Sequence, residues 1–305
     1  MPILGASAQR LSPPIDIDTL WPGITAMSWT AWDGTTWDLR GSDGVVLMRD
    51  GVRGLAFPPV EHHRTESPAV AGSRWRGWRA SNREVFWAVL VFSDASSDDW
   101  VQRDSRWWAS MHPEHPGVWQ ITTSSGTRRL RCRFLSDGDH SYEYDPTRLG
   151  EAYYGVRLVA DQPFWEADQI VSPEWGQTTE REFFPGPPFW VGAGQSLSTA
   201  TISNPGDVPA YPVWTLTGPI TTATVGVGTR TVSVPFTIPD GMTLTIDSRP
   251  ESRSAVDSTG ADRTSQLGSS SFAAIPPGEK VSLSLARSGT GTVQARLTPL
   301  YFRAW

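Results

Sequence analysis

The sequence predicts a mainly β protein with one notable helix, divided into two domains of different character. Three observations carry this. The 28 glycines and 25 prolines are spread between short apolar runs, as in many short strands joined by turns. No alternation of strand and helix patterns occurs, which excludes a Rossmann or TIM-barrel architecture. The tryptophans are segregated: twelve of sixteen fall at or before Trp165, and between 197 and 303 only Trp214 remains, among Thr, Val and Ser.

The first domain reads as hairpins around a single helix. In TAMSWTAWDGTTWDLR (25–40) an Asp33-Gly34 turn, a strong short-range hairpin signal, separates two Trp-rich runs. A second turn at Ser42-Asp43-Gly44 precedes VVLM. The segment GLAFPPVEHHRTESPAVAGS (54–73) has prolines and little periodicity, which predicts a long connection. WRGWRASNREVFWAVLVFSD (75–94) gives a turn around Ser81-Asn82 and an apolar strand from Val85 to Phe92.

The helix is expected over Ser97–Met111. Ser96 or Ser97 caps it, Asp98 and Asp99 suit the positive end of its dipole, and Pro113 and Pro116 stop it. Trp100, Trp107, Trp108 and Met111 share one face, with Trp107 and Trp108 about 100° apart, so one is expected to face the sheet and the other to reach a neighbouring element or subunit. GVWQITTSSGTRRLRCRFLSD (117–137) predicts a hairpin about Ser124-Ser125-Gly126. Arg129, Arg131 and Arg133 take one face of its second strand, and Leu130, Cys132 and Phe134 the other. A last strand lies in EAYYGVRLVADQPFW (151–165).

The domains are placed at 1–170 and 197–305, with 171–196, rich in Pro, Gly, Ser and Thr, as linker or extension. Beyond 197, STATIS, YPVWTLTG, TATVGV, RTVSVPFTI, MTLTID, KVSLSLA and GTVQARLTPLY recur every eight to twelve residues and predict an antiparallel sandwich.

The net charge of −6 is concentrated in the first part, with 25 acids against 18 arginines up to residue 190. An acidic body argues against nonspecific nucleic-acid gripping. Lys280 is the only lysine against 25 arginines. Arg and Trp are the residues most enriched at interface hot spots, and together they point to an obligate assembly. Trp29, Trp32, Trp37, Trp75, Trp78, Trp107 and Trp108 are candidate core or subunit-interface aromatics in preference to sugar platforms. Arg129, Arg131 and Arg133 are expected to pair with acids across a subunit contact rather than with nucleic acid.

Little points to chemistry. Cys132 stands alone, so no disulfide framework and no cysteine zinc site is expected, and synthesis in a reducing cytoplasm fits. MPILGASAQR shows no signal-peptide pattern, and no run approaches the ~20 apolar residues of a membrane helix. No GxSxG, Walker, GxGxxG or HExxH motif occurs, and no cofactor is expected. His112-Pro113-Glu114-His115 and His62-His63 read as surface histidines rather than a metal site. Asp137, Asp139, Glu143 and Asp145 read as a solvated acidic turn rather than a calcium loop.

Two regions resemble the distal tail protein family of long-tailed, non-contractile phages. ISNPGDVPAYPVWTLTGPI (202–220), IPDGMTLTIDSRP (238–250) and SFAAIPPGEKVSLSLARSGTGTVQARLTPLYFRAW (271–305) carry the more specific match. It runs from an Asn-Pro-Gly-Asp turn through a Gly-x-x-Leu-x-Ile-Asp strand and an Ile-Pro-Pro-Gly turn to an aromatic-rich basic tail. The first domain is similar in layout, through its hairpins, the Arg83-Glu84 strand, the helix, the arginine-bearing hairpin and Pro163-Phe164-Trp165. The resemblance implies a barrel-like belt domain, six copies of which form a ring, and a galectin-like sandwich. It also implies as partners the tail tube, the tape measure protein and the downstream tip, hub and receptor-binding proteins of the virion. The family has no catalytic residues to carry over. The Trp and Arg richness resembles phages of actinobacteria.

Two rivals remain open at this point. One is a carbohydrate-binding receptor-recognition module, stacking sugars on Tyr211, Trp214 or Tyr301. The other is a polysaccharide-degrading tail enzyme, although no carboxylate pair is singled out.

Overall fold

A computed structural model describes residues 20–138, 142, 144–176, 197 and 200–305. They fall into two units, Met1–Glu166 with Phe302–Trp305, and Ala167–Tyr301. The chain leaves the first through β10 (Trp165–Ala167) and returns after β20 (Leu300–Tyr301).

The first unit is a sheet bent round until its ends meet. Strands β1 (Ala26–Thr30), β2 (Thr36–Asp38), β3 (Val45–Leu47), β6 (Arg83–Phe92), β7 (Gly117–Thr123), β8 (Gly126–Asp137) and β9 (Glu151–Ala160) pair antiparallel in the order β2-β1-β7-β8-β9-β6-β3. An Arg40–Val46 bridge and the Leu47 N–H to Leu39 O bond of 2.8 Å join the two ends. The expected turns are present: Gly34, Gly44 and Gly126 sit at φ of 87°, 71° and 115°, the left-handed region that glycine enters freely.

Tryptophan fills the interior. Trp29 lies opposite Trp37 across one strand pair and opposite Trp119 across the next. Trp87 meets Trp29 edge-to-face at 5.3 Å and Trp119 at 5.2 Å, and Trp119 meets Trp165 at 5.1 Å. The two Trp87 contacts set the positive edge of one indole against the face of the next, and the Trp119–Trp165 pair is tilted. Gly117 is required by this packing, because a Cβ there would enter the Trp29 ring.

Helix α1 (Ser97–Ala109) ends two residues short of the expected Met111, where Ser110 takes the C-cap. The Ser96 hydroxyl caps the other end by accepting from Asp99 N–H at 3.1 Å. Trp100 and Trp107 are its buried residues. Trp107 packs on Trp37 at 5.6 Å and near Trp87, whereas half-buried Trp108 packs on Tyr154 at 5.0 Å. The adjacent pair therefore divides between the core and the sheet surface, as expected. A short helix, α2 (Pro146–Leu149), is capped by Asp145.

The segment expected to be a long connection is instead the first half of a long hairpin, β4 (Val60–Ser67) paired with β5 (Val70–Ala80). β4 is exposed at every residue. With neither face buried, no apolar alternation is imprinted on the sequence, which is why the strand escapes a pattern reading.

The second unit is an antiparallel β-sandwich. One sheet runs β11 (Ile170–Val171), β19 (Thr292–Leu297), β13 (Val213–Thr217), β16 (Thr243–Asp247), β17 (Ser254–Asp257). The other runs β12 (Thr201–Ser203), β18 (Lys280–Gly289), β14 (Ile220–Val227), β15 (Arg230–Val234). Trp214, Leu216, Ile246, Val225, Val232 and Val293 belong to its core. Asn204 is buried where two turns meet: its amide donates to Val208 O at 2.9 Å and Ile275 O at 3.0 Å, and its Oδ1 accepts from Gly206 N–H. The Asn-Pro-Gly-Asp turn is thereby tied to the Ile-Pro-Pro-Gly turn.

Two outcomes are expected. Trp107→Ala lowers stability by roughly 3–5 kcal/mol, as large aromatic truncations in cores do, and Trp108→Ala costs less. Urea midpoints check this, and equal small losses would refute the helix's packing role. In the sandwich, Asp257 accepts from Thr259 Oγ1 at 2.5 Å and from Arg263 Nε at 2.9 Å, and these bonds hold its carboxyl well below the usual range. A depressed carboxylate contributes stability that is present above the unfolded pKa of about 3.9 and is lost as pH falls towards the folded value. Asp257→Asn should flatten the decline in urea midpoint below about pH 4; an unchanged slope would assign the acid sensitivity elsewhere.

Candidate functional site

The exposed aromatics of the first unit gather on the β4–β5 arm. Trp75 is 57% exposed and Trp78 39%. Three residues apart on a regular strand, they would face opposite ways. The register shows how they come together: His62 pairs with Trp78, His63 with Gly77 and Arg64 with Trp75, leaving Arg76 as the extra residue of a bulge. The bulge resets the alternation and puts both indoles on the face of Val60, His62 and Arg64. Trp75 Nε1–H donates to His62 Nδ1 at 3.3 Å across that face.

Some polar groups of the arm bond to one another. Arg76 donates to Thr65 Oγ1 at 3.0 Å, and Arg79 pairs with Glu61 at 2.8 Å. Glu61 also accepts from Ser81 Oγ–H, and that bond, then Arg79, lowers its pKa. Both faces of β4 are exposed, and one face of the arm carries the two indoles beside Val60, His62 and Arg64.

Its base is seated by a buried cation. Arg83, the first residue of β6, is 1% exposed. Its guanidinium donates to Pro163 O at 2.6 Å, Gly54 O at 2.6 Å, Ala56 O and Phe302 O at 2.7 Å. Burial pulls its pKa down to about 10, so it stays charged at neutral pH. Residues 302–305 are fastened further by Ala304 N–H to Leu55 O at 2.9 Å and by Arg128 to Arg303 O at 2.7 Å. The Phe302 ring stacks on Phe57 at 4.7 Å and 17°, and lies 5.8 Å from Trp78 and 5.9 Å from Phe164.

Several sequence candidates need correction. Trp29, Trp37 and Trp107 are buried in the unit's own core and have no ring surface left for a neighbouring subunit. Trp108 is half-buried against Tyr154 and Phe134. Trp32 is exposed, but it lies against His115 at 5.5 Å and His112 at 5.0 Å. The arginine face finds partners within the chain: Arg129 with Gln120, Arg131 with Glu166 and Arg133 with Asp161. Trp214 is a core residue of the sandwich and has no open face for a sugar, whereas Tyr211 and Tyr301 are half-buried. Trp75 and Trp78 keep open faces. Phe57 and Phe302, far apart in sequence, carry no periodic signal that would pair them.

Other chemistry is sparse. His112 Nδ1 accepts from the N–H groups of Glu114 and His115, which engages one ring nitrogen in the loop. Among the described residues no group of three or more His, Cys, Asp or Glu is placed to hold a metal ion; Asp139 and Glu143 of the acidic turn lie outside them. Burial pushes the Cys132 thiol far above its usual range, away from the reactive thiolate. No helix among them is long and apolar enough to cross a membrane.

No family model matches the chain. Minor tail protein Gp27 of Mycobacterium phage L5 is 28% identical over 193 residues, covering 58% of this chain; the chain spans about half the length of that relative, 56%. The Dit protein of phage SPP1, described as a paradigm of the hub adsorption apparatus in phages infecting Gram-positive bacteria, superposes with a TM-score of 0.63. The match covers 90% of this chain and 99% of that one at 14% identity. A chain of the phage P2 baseplate in its activated conformation with Ca gives a TM-score of 0.52 over 89% of this chain and 98% of its own, at 8% identity.

The Arg83 seat predicts that even Arg83→Lys is strongly destabilising, because an ammonium cannot reach four carbonyls in the fork geometry of a guanidinium. Orphaned buried acceptors cost about 1–3 kcal/mol each, so a loss on the order of 3 kcal/mol is expected in thermal or urea melts. A silent Arg83→Lys would show that charge alone suffices.

Proposed function

We propose that this chain, which has the fold of the distal tail proteins and a mycobacteriophage minor tail protein among its relatives, is a structural component of a phage tail tip. On this reading six copies close into a ring that joins the tail tube and tape measure protein above to the hub and receptor-binding proteins below. The role is one of assembly, not of catalysis, and the place of action is the virion of a phage with an actinobacterial host. The Mycobacterium phage relative supports that host type, and the Dit and baseplate likenesses support the position at the tip.

One observation carries the reading: the β4–β5 arm with Trp75 and Trp78 open on a single face. An isolated two-stranded hairpin is marginal in water, and a contiguous exposed apolar face marks an interaction site. A head-to-tail contact repeated with a closing rotation turns one such face into a ring.

Native mass spectrometry of the purified chain tests this. A six-fold multiple of the 33.5 kDa chain mass is expected. The double variant Trp75→Ser, Trp78→Ser should weaken assembly by on the order of 100-fold, the size of a hot-spot loss, with the barrel's melting temperature held. A chain that stays monomeric at millimolar concentration, or rings indifferent to both indoles, would remove the reading.

A further inference from the structure

Away from the arm, the outer face of the barrel sheet carries a groove of about 360 Å³, lined by Arg53, Glu84, Phe86, Leu135, Gly138 and Arg157. Strand register sets its middle. Arg53 bridges to Phe86 on one side, and Arg157 of β9 pairs with Phe86 on the other. Residues directly opposite one another in antiparallel strands share a face, with Cβ atoms about 5 Å apart. The row therefore reads cation, ring, cation, and the two arginine Cβ positions are about 10 Å apart, two strand spacings.

The walls and floor follow from the same strands. Arg157 pairs on its far side with Ser136, and the register slips between Phe134 and Ser136, so Leu135 is the extra residue of a bulge and stands 49% exposed. Glu84, two residues along β6 from Phe86, lies on the same face. No side chain stands on the floor. A Cβ at Gly155 would meet the Phe86 ring at 3.1 Å, and one at Gly138 would meet Gly155 O at 2.7 Å.

The charges in the groove are not matched within the chain. Other arginines of this unit have carboxylate partners: Arg79 with Glu61, Arg103 with Asp99, Arg133 with Asp161. Among the described residues, Arg53, Arg157 and Glu84 make no ion pair and no side-chain hydrogen bond, and all three are exposed.

We infer that this groove binds an acidic peptide segment, with a carboxylate on each arginine and an apolar side chain between them against Phe86 and Leu135. A guanidinium fork takes a carboxylate through two parallel bonds. Glu84 selects the class of anion. Its carboxylate repels a ligand that is negative along its whole length, such as nucleic acid, and the chain's net charge of −6 adds to that repulsion. A peptide offers backbone N–H groups to Glu84 beside its own acids. All six residues come from one unit of one chain, so the groove is complete without a ring.

Fluorescence anisotropy on the full chain tests this with a labelled pentapeptide, Asp-Ser-Leu-Ser-Asp, blocked at both ends. In an extended chain its two acids and its leucine lie on one face. Binding at low salt that weakens as salt rises is expected. The counterpart with Asn for both acids should bind at least about 10-fold more weakly. The acidic peptide should lose a similar factor on Arg53→Gln and on Arg157→Gln, at unchanged melting temperature, and less on Arg157→Lys. Glu84→Gln should tighten binding severalfold, a gain that damaged folding cannot imitate. No binding at millimolar peptide overturns the inference. Equal affinity for the Asn peptide, full affinity in both arginine variants, or no gain in Glu84→Gln overturns it too. Inorganic phosphate or an oligothymidylate that displaces the label better than unlabelled peptide does would make phosphate the ligand chemistry and overturn the peptide assignment.

Discussion

The buried guanidinium of Arg83 is the constraint on which the first unit's surface depends. A buried guanidinium needs its N–H donors met, and here four bonds to main-chain carbonyls at 54, 56, 163 and 302 meet them. Carbonyls carry no side-chain information, so the loops that supply them are free in sequence but fixed in place. The 54–56 loop leads directly into the arm, and β6 starts at Arg83 itself. One charged group thus positions the arm's entry, the strand that follows its exit and the returning residues 302–305.

The Trp-lined interior supplies the rigidity that makes such a seat useful. Large flat rings packed edge to face have few alternative rotamers and leave little room, as the requirement for Gly117 shows. There is a cost. The indole N–H groups of Trp29, Trp37, Trp87, Trp107 and Trp119 are buried without a hydrogen-bond partner, whereas Trp100 reaches Val91 O at 3.1 Å. Packing against the faces of neighbouring rings offsets part of that loss. Tryptophan therefore serves two purposes in one domain, as filler inside the barrel and as open surface on the arm.

The sandwich is organised on a different principle. Its core is aliphatic with Trp214 and Trp175 set into it, and polar groups such as Asn204, Asp247 and Asp257 knit its turns. The Asn204 amide explains why the two turn motifs that carry the family resemblance occur together: each supplies a carbonyl to the same side chain, Val208 from one and Ile275 from the other.

By itself the sequence determined whatever depends on local periodicity and turn chemistry. The hairpin at Asp33-Gly34, the capped helix with its divided Trp pair, the alternating strand from Arg129 to Phe134 and the strand series of the sandwich are legible because burial on one face writes a period into the residues. The tertiary structure alone decided which tryptophans are inside. Trp29 and Trp37 read much like Trp75 and Trp78, and only closure of the sheet separates the two pairs. It also decided the arm, whose strands have no buried face to mark them, and the bulge at Arg76 that turns Trp75 onto the side of Trp78. The meeting of Phe57 with Phe302 spans nearly the whole chain. A contact across that separation is set by the closing of the fold around Arg83, and nothing in the neighbourhood of either residue announces it.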